Sequence, residues 1–328
     1  AAPRDAQLQV DDLRVRFPGG KTPVRGLTLT IAEGEAVGLV GESGSGKSLT
    51  ALAVAGLVPH PGRVTAAALR FDGGDVLRGT RTGTSLAMVF QDPMASLNPA
   101  LRVGRQLAEV AEVHLGESRS RAAARAIDRL EAVRIPAAAR RARQRPHEYS
   151  GGMRQRAMIG MGLMGEPRLI IADEPTTALD VLVQRQILDL LTQVRAESGA
   201  ALLLVSHDLA VVAQVCERVL VMYAGRVVEE LPVDDLAARA AHPYTRALVG
   251  AVPTLATDRE ERLATIPGRP PEPAEQPDGC AFAPRCDRAT ARCRTDLPVL
   301  SPHGPRGRVA CWHPVTEPAA ERVVREVR

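Results

Sequence analysis

From residue 8 to residue 40, short apolar runs (8–15, 27–31 and 36–40) alternate with turns such as Pro18-Gly-Gly20. Runs of that length bounded by Gly and Pro predict strands. Residues 49–58 change to helical apolar spacing, which Pro59 and Pro61 stop. A further strand is predicted at 85–90. Residues 101–146 predict helices rich in Ala and Arg, ending at Arg145-Pro146. Strand, helix and strand then return at 169–172, 181–197 and 201–205. Alternation of this kind implies a largely parallel sheet with helices on its faces. The inserted helical block at about 100–166 is expected to form a separate lobe. Five prolines within residues 267–277 predict a linker before a cysteine-bearing tail. There are no internal repeats.

Composition narrows this picture little. The 328 residues suffice for a sizeable core and a second small module. No apolar run approaches the ~20 residues that cross a bilayer. The start, Ala1-Ala-Pro-Arg-Asp-Ala-Gln7, has no apolar signal core, so a cytoplasmic location is expected, and the absence of Met suggests a trimmed N-terminus. A net charge of +4 with dispersed basic residues gives no footprint for nucleic acid. Of the 42 basic residues only Lys21 and Lys47 are lysine, which marks Lys47 as a place where a compact ammonium is wanted.

Lys47 lies in Gly41-Glu-Ser-Gly-Ser-Gly-Lys-Ser48, a Gly-x4-Gly-Lys-Ser phosphate loop between a predicted strand and helix. Glycines let backbone N–H groups converge on phosphate oxygens, and the helix N-terminus adds partial positive charge. Lys47 would reach the β- and γ-phosphates, and the Ser48 hydroxyl would hold Mg²⁺. Asp173 and Glu174 end an apolar run. Behind a phosphate loop, one carboxylate can orient magnesium while the other polarises water; alone, the pair would be a solvated strand end. Tyr149-Ser-Gly-Gly-Met-Arg-Gln-Arg156 presents a second turn opening a helix, with a serine hydroxyl beside the helix N-terminus.

The order of these motifs resembles the ATP-binding cassette family, in which the Ser-Gly-Gly turn is the signature. That resemblance implies an α/β nucleotide-binding domain: a RecA-like phosphate-loop core, a helical subdomain at about 92–166 and an antiparallel β subdomain. Together these would occupy residues 1–235. It implies ATP bound by Phe17, Gly41, Glu42, Ser43, Gly44, Ser45, Gly46, Lys47, Ser48 and Leu49. Phe17 matches the adenine-stacking position, with a core strand residue as the alternative reading. Glu174, His207 and Gln91 take catalytic roles, and Ser48, Gln91 and Asp173 are the magnesium ligands. Ser150, Gly151, Gly152 and Met153 would cap a partner's ATP, and Asp180 would lie across the dimer interface.

Tyr149 and Met153 replace the commonest leucine and glutamine of the signature, and Asp92-Pro-Met-Ala-Ser-Leu-Asn-Pro99 follows Gln91. Both features resemble peptide-importer ATPases, as do Ala241-His-Pro-Tyr-Thr-Arg-Ala247 and the tail. Four of five cysteines fall there, as Cys280-x5-Cys286-x6-Cys293-x17-Cys311. That spacing is wider than in structural zinc pairs and leaves a cluster, zinc or unmetallated thiols open, with His313 an alternative ligand. The resemblance implies a small Cys-rich extension over 236–328 with a [4Fe–4S] cluster on the four cysteines. Cys216 reads as a small buried residue.

The subfamily implies an ATP-hydrolysing subunit that powers dipeptide or oligopeptide uptake, with nickel or another small solute as alternative cargo. Its partners would be a second, different ATPase chain, two transmembrane permease subunits and an extracytoplasmic substrate-binding protein, with this chain peripheral on the cytoplasmic face of the inner membrane. Two rivals carry less. A DNA-repair cassette would insert a long coiled coil between phosphate loop and signature, and a ribosome-associated one would carry two cassettes. A nucleotide-sensing or iron–sulfur regulatory module would not need both Glu174 and His207.

Overall fold

The computed structural model describes residues 6–79, 83–177, 179–252, 265–275 and 277–316. The chain divides into two compact units. One comprises residues 1–31, 36–79 and 204–328, the other 32–35 and 80–203.

In the first unit, the strand Ala6–Arg16 is the hub of an antiparallel sheet. It lies between Val24–Ala32 and Ala68–Phe71, pairs also with Arg63–Thr65, and Gly74–Asp75 closes the far edge. Its sequence breaks strict alternation. Leu8 and Val10 are buried, and so are Leu13 and Val15, one step out of phase. Asp12, in the left-handed region at φ 49°, sits at the change of phase and lets both pairs face the core. Its N–H donates to Thr28 Oγ1 at 3.1 Å, and its carboxylate receives Arg14 at 2.7 Å. Burying each such aliphatic side chain is worth roughly 1.5–3 kcal/mol.

A second layer of that unit holds the strand Ala36–Val40, buried at every position, parallel to Arg218–Tyr223. Continuous burial is what a parallel strand with both faces covered requires. Arg226–Pro232, Gly307–Val309 and Ser301–His303 extend this layer antiparallel. Gly38 shows how closely a helix covers it. A Cβ there would sit 2.2 Å from Val212 Cγ1 on the helix Leu209–Val215. The helix Lys47–Val54 follows the phosphate loop, as its sequence predicts, but ends four residues before Val58.

The second unit carries the parallel pair Leu86–Val89 and Leu169–Asp173 together with the helices Val103–His114, Arg119–Ala132, Gly151–Gly162 and Val181–Ser198. Arg119–Ala132 buries Ala122, Ala126 and Leu130, a stripe spaced by four. Arg125 ties this helix to Glu117 and Glu166. The helical block thus clusters with this strand pair.

Candidate functional site

In the first unit, the loop after Ala36–Val40 turns through three left-handed glycines: Gly41 at φ 153°, Gly44 at 80° and Gly46 at 101°. Their reasons differ. A Cβ on Gly41 would sit 2.1 Å from Met222 O, and one on Gly46 would sit 2.4 Å from Pro23 O. A Cβ on Gly44 would meet nothing within 4 Å, so this glycine faces open space. Lys47 is almost fully buried, and its Nζ donates to Gly41 O at 2.8 Å and Glu42 O at 3.0 Å. The loop therefore holds its own ammonium, curled over the backbone. Thr50 Oγ1 secures the start of the helix by donating to Gly46 O at 2.9 Å. Ser48 opens that helix, half-buried, next to Lys47.

Glu42 is anchored to later parts of the chain. Its N–H donates to Tyr244 Oη at 2.8 Å, and its carboxylate receives both Nη atoms of Arg285, at 2.6 and 3.0 Å. Neither Tyr244 nor Arg285 carries a sequence signal for this role. Phe17 is half-buried, and a Cβ on Gly62 would lie 2.9 Å from its ring. His207 is exposed directly after the strand Ala201–Ser206, and Asp208 caps the next helix by accepting from Ala210 N at 2.8 Å.

In the second unit, Asp173 is buried at the end of its strand and Glu174 follows at φ 46°, a backbone state that non-glycine residues hold only where surroundings enforce it. Glu174 Oε2 accepts from Gln91 Nε2 at 3.1 Å and from Thr177 Oγ1 at 2.9 Å. Two donors on one oxygen orient the carboxylate. Thr177 is a further residue for which no side-chain role was expected, although it stands in Thr177-Ala-Leu-Asp180.

Ser150 is the N-cap of Gly151–Gly162 and accepts from Met153 N at 3.3 Å. A Cβ on Gly152 would lie 2.6 Å from Val183 Cγ1, so the signature glycine lets this helix start against the next one. Asp180 caps Val181–Ser198 by accepting from Val183 N at 3.0 Å. Tyr149 is buried, and burial pushes its hydroxyl up to about 12. An aromatic before Ser-Gly-Gly thus acts here as a core anchor.

The four tail cysteines face one cavity of about 20 Å³, shared with Trp312 and His313. Burial raises the Cys280 and Cys286 thiols, backbone N–H donors oppose it, and neighbouring cysteines add to it; burial brings Cys311 to about 11. A cation would relieve that repulsion, so the donor chemistry fits a metal. Among the described residues no three His, Cys, Asp or Glu side chains are placed to hold a metal ion, and the expected cluster on Cys280, Cys286, Cys293 and Cys311 is unsupported. The cavity is about the size of one water molecule. His313 Nε2 lies 2.9 Å from Thr290 Oγ1, which occupies it. Cys216 is buried, as expected.

Residues 24–177 match the family described as ABC transporter, and residues 228–293 match the oligopeptide/dipeptide transporter C-terminal region. The oligopeptide transport ATP-binding protein OppD of Salmonella typhimurium is 46% identical over 324 residues, covering 96% of each chain. The dipeptide transport ATP-binding protein DppD of Escherichia coli is 45% identical, covering 95% of this chain and 98% of its own. Among solved structures, cbiO1 from Clostridium perfringens, part of the ABC transporter complex cbiONQ, superposes with a TM-score of 0.59 at 27% identity over 71% of this chain and 90% of its own. The ATP-binding cassette MJ0796, a dimer bound to ADP and Pi, gives 0.57 at 28% over 69% and 98%.

Proposed function

Because the chain belongs to the ATP-binding subunits of oligopeptide and dipeptide ABC transporters, we propose that residues 41–48 bind the phosphates of ATP and that Glu174 serves its hydrolysis. The chain is an ATPase that powers peptide uptake. The observation that carries the site assignment is the oriented carboxylate of Glu174, held at a left-handed backbone by Gln91 and Thr177.

ATP would lie with its phosphates on residues 41–48. Gly44 leaves open space there, and Lys47 would exchange the carbonyls of Gly41 and Glu42 for phosphate oxygens. Ser48, Gln91 and Asp173 offer the hard oxygen donors that suit Mg²⁺, which when bound offsets charge on the transferring phosphoryl group. Glu174 would take the proton of the attacking water, and His207 would hold a γ-phosphate oxygen. Phe17 would stack on adenine. Ser150, Gly151, Gly152 and Met153 would cap ATP held by a second ATPase chain, with Asp180 at that interface.

Permease subunits and a substrate-binding protein follow from the family. We propose a different ATPase chain as the second cassette, two permease subunits, and a place on the cytoplasmic face of the membrane. No helix among the described residues is long and apolar enough to cross a membrane itself. Residues 236–328 would form the importer-type extension. We propose the [4Fe–4S] cluster on Cys280, Cys286, Cys293 and Cys311, which line one cavity; iron and acid-labile sulfide in the purified complex would support that reading, and zinc or no metal would sink it. The function is tested with the assembled transporter in vesicles. Peptide-loaded binding protein should stimulate ATP hydrolysis, and stimulation by another solute class but not by peptides would overturn the cargo.

A further inference from the structure

The phosphate loop contains a carboxylate, Glu42, where an anion is to be bound. Left unpaired, it would repel the triphosphate and bear the cost of a part-buried charge. Arg285 answers it from 243 residues away. The guanidinium is 4% exposed and Glu42 27%. All five N–H donors of Arg285 are placed. Two go to the Glu42 carboxylate at 2.6 and 3.0 Å, one to Tyr223 Oη at 3.2 Å, one to Pro267 O at 2.7 Å and one to Ile266 O at 3.2 Å. The Glu42 hydrogen bonds push its pKa further up, so it is always charged.

The surroundings are closely packed. Tyr223, Tyr244 and Phe282 pack with ring centroids 4.6 to 5.4 Å apart, and the guanidinium lies 5.8 Å from the Tyr223 and Phe282 centroids. Tyr244 also receives the Glu42 N–H. The peptide gripped in this way is the one whose carbonyl, Gly41 O, accepts from Lys47 together with Glu42 O.

We propose that Arg285 is a positioning residue for the ATP reaction: it neutralises Glu42 and fixes the first peptide of the phosphate loop, making nucleotide binding depend on the C-terminal segment. The proposal rests on the reading of residues 41–48 as the ATP phosphate site. A bidentate, charge-assisted pair of this burial fixes both geometry and charge.

The test uses the assembled transporter complex and reads KM for ATP. R285Q should raise KM on the order of tenfold, because it strands the carboxylate in the loop. E42Q added to R285Q removes that charge and should return KM to within about threefold of wild type. A merely structural role for Arg285 lowers the melting temperature but gives no such rescue. An unmoved KM in R285Q, or a double variant no better than R285Q, overturns the proposal. Should R285Q not assemble, R285K decides. Lysine keeps the charge but cannot grip both oxygens, so KM should rise about threefold, and an unchanged value overturns the proposal. A wild-type complex without ATP hydrolysis would overturn the ATPase reading and this proposal together; normal wild-type turnover with an unmoved R285Q overturns this proposal alone.

Discussion

Substituting alanine for Gly44 and for Gly46 separates two jobs that the phosphate loop performs. Both glycines are left-handed, and alanine in that region costs roughly 1–2 kcal/mol. At Gly46 the new Cβ would also sit 2.4 Å from Pro23 O, a backbone atom that must move, which adds about 1–3 kcal/mol. At Gly44 no atom lies within 4 Å, so the backbone term stands alone. A chain of this size loses about 2 °C of Tm per kcal/mol. G44A should therefore melt about 2–4 °C below wild type, and G46A several degrees lower still. The order reverses for the ligand. ATP at 100 times its Kd stabilises by about 2.7 kcal/mol, an upward shift of about 5 °C in wild type. In G44A the methyl group stands where phosphate is to approach, and that shift should fall below about 1 °C. Thermal unfolding of the purified chain with and without Mg-ATP measures both quantities. A full ATP shift in G44A would refute the placing of phosphate over Gly44, and a G46A variant more stable than G44A would refute the steric argument.

Other residues make separable predictions. T177V removes one of two donors on Glu174 Oε2 and should lower turnover about three- to tenfold with KM for ATP unchanged, measured by steady-state phosphate release. S150A removes a helix cap worth about 1 kcal/mol, seen by denaturant unfolding, and should reduce turnover of the complex while leaving nucleotide binding to the isolated chain intact. His242 is fully buried, and burial lowers its pKa from 6.5 to about 3. The unfolded chain takes up the proton first, so stability is full above about pH 6.5 and falls as pH drops from there towards 3. At pH 5.5 the loss is about 1.4 kcal/mol. Melting curves across pH should show that slope, and H242N, which keeps an acceptor for Tyr244 N, should flatten it.

The parts of this molecule legible in its sequence are those made by neighbours along the chain. Residues 41–48 declare their glycines, lysine and following helix within one turn, and Asp173 with Glu174 stands at the end of an unbroken apolar run. Ser150 and Asp180 each stand just before a predicted helix, and the structure adds that both are N-caps. What stays hidden depends on distant segments. Nothing at Glu42 foretells Arg285, since one ion pair across 243 residues leaves no period or spacing to read. The strands 301–303 and 307–309 are only three residues each and carry no apolar alternation, so the cysteine tail reads as irregular until Arg226–Pro232 offers 307–309 a ladder and that strand in turn pairs 301–303. The shift of phase at Asp12 is visible as two apolar pairs out of step, but only its left-handed backbone shows that both face one core. The cysteines converge on one cavity, although among the described residues no three side chains stand where they would hold a metal ion.

ATP turnover by the assembled transporter carrying E174Q tests the central claim most directly. Glutamine preserves the size of the side chain and one oxygen acceptor for Gln91 and Thr177, but cannot take a proton from water. The variant should bind ATP as wild type does while hydrolysis falls on the order of 10²–10⁴-fold. Hydrolysis at the wild-type rate, with ATP bound normally, would contradict that claim.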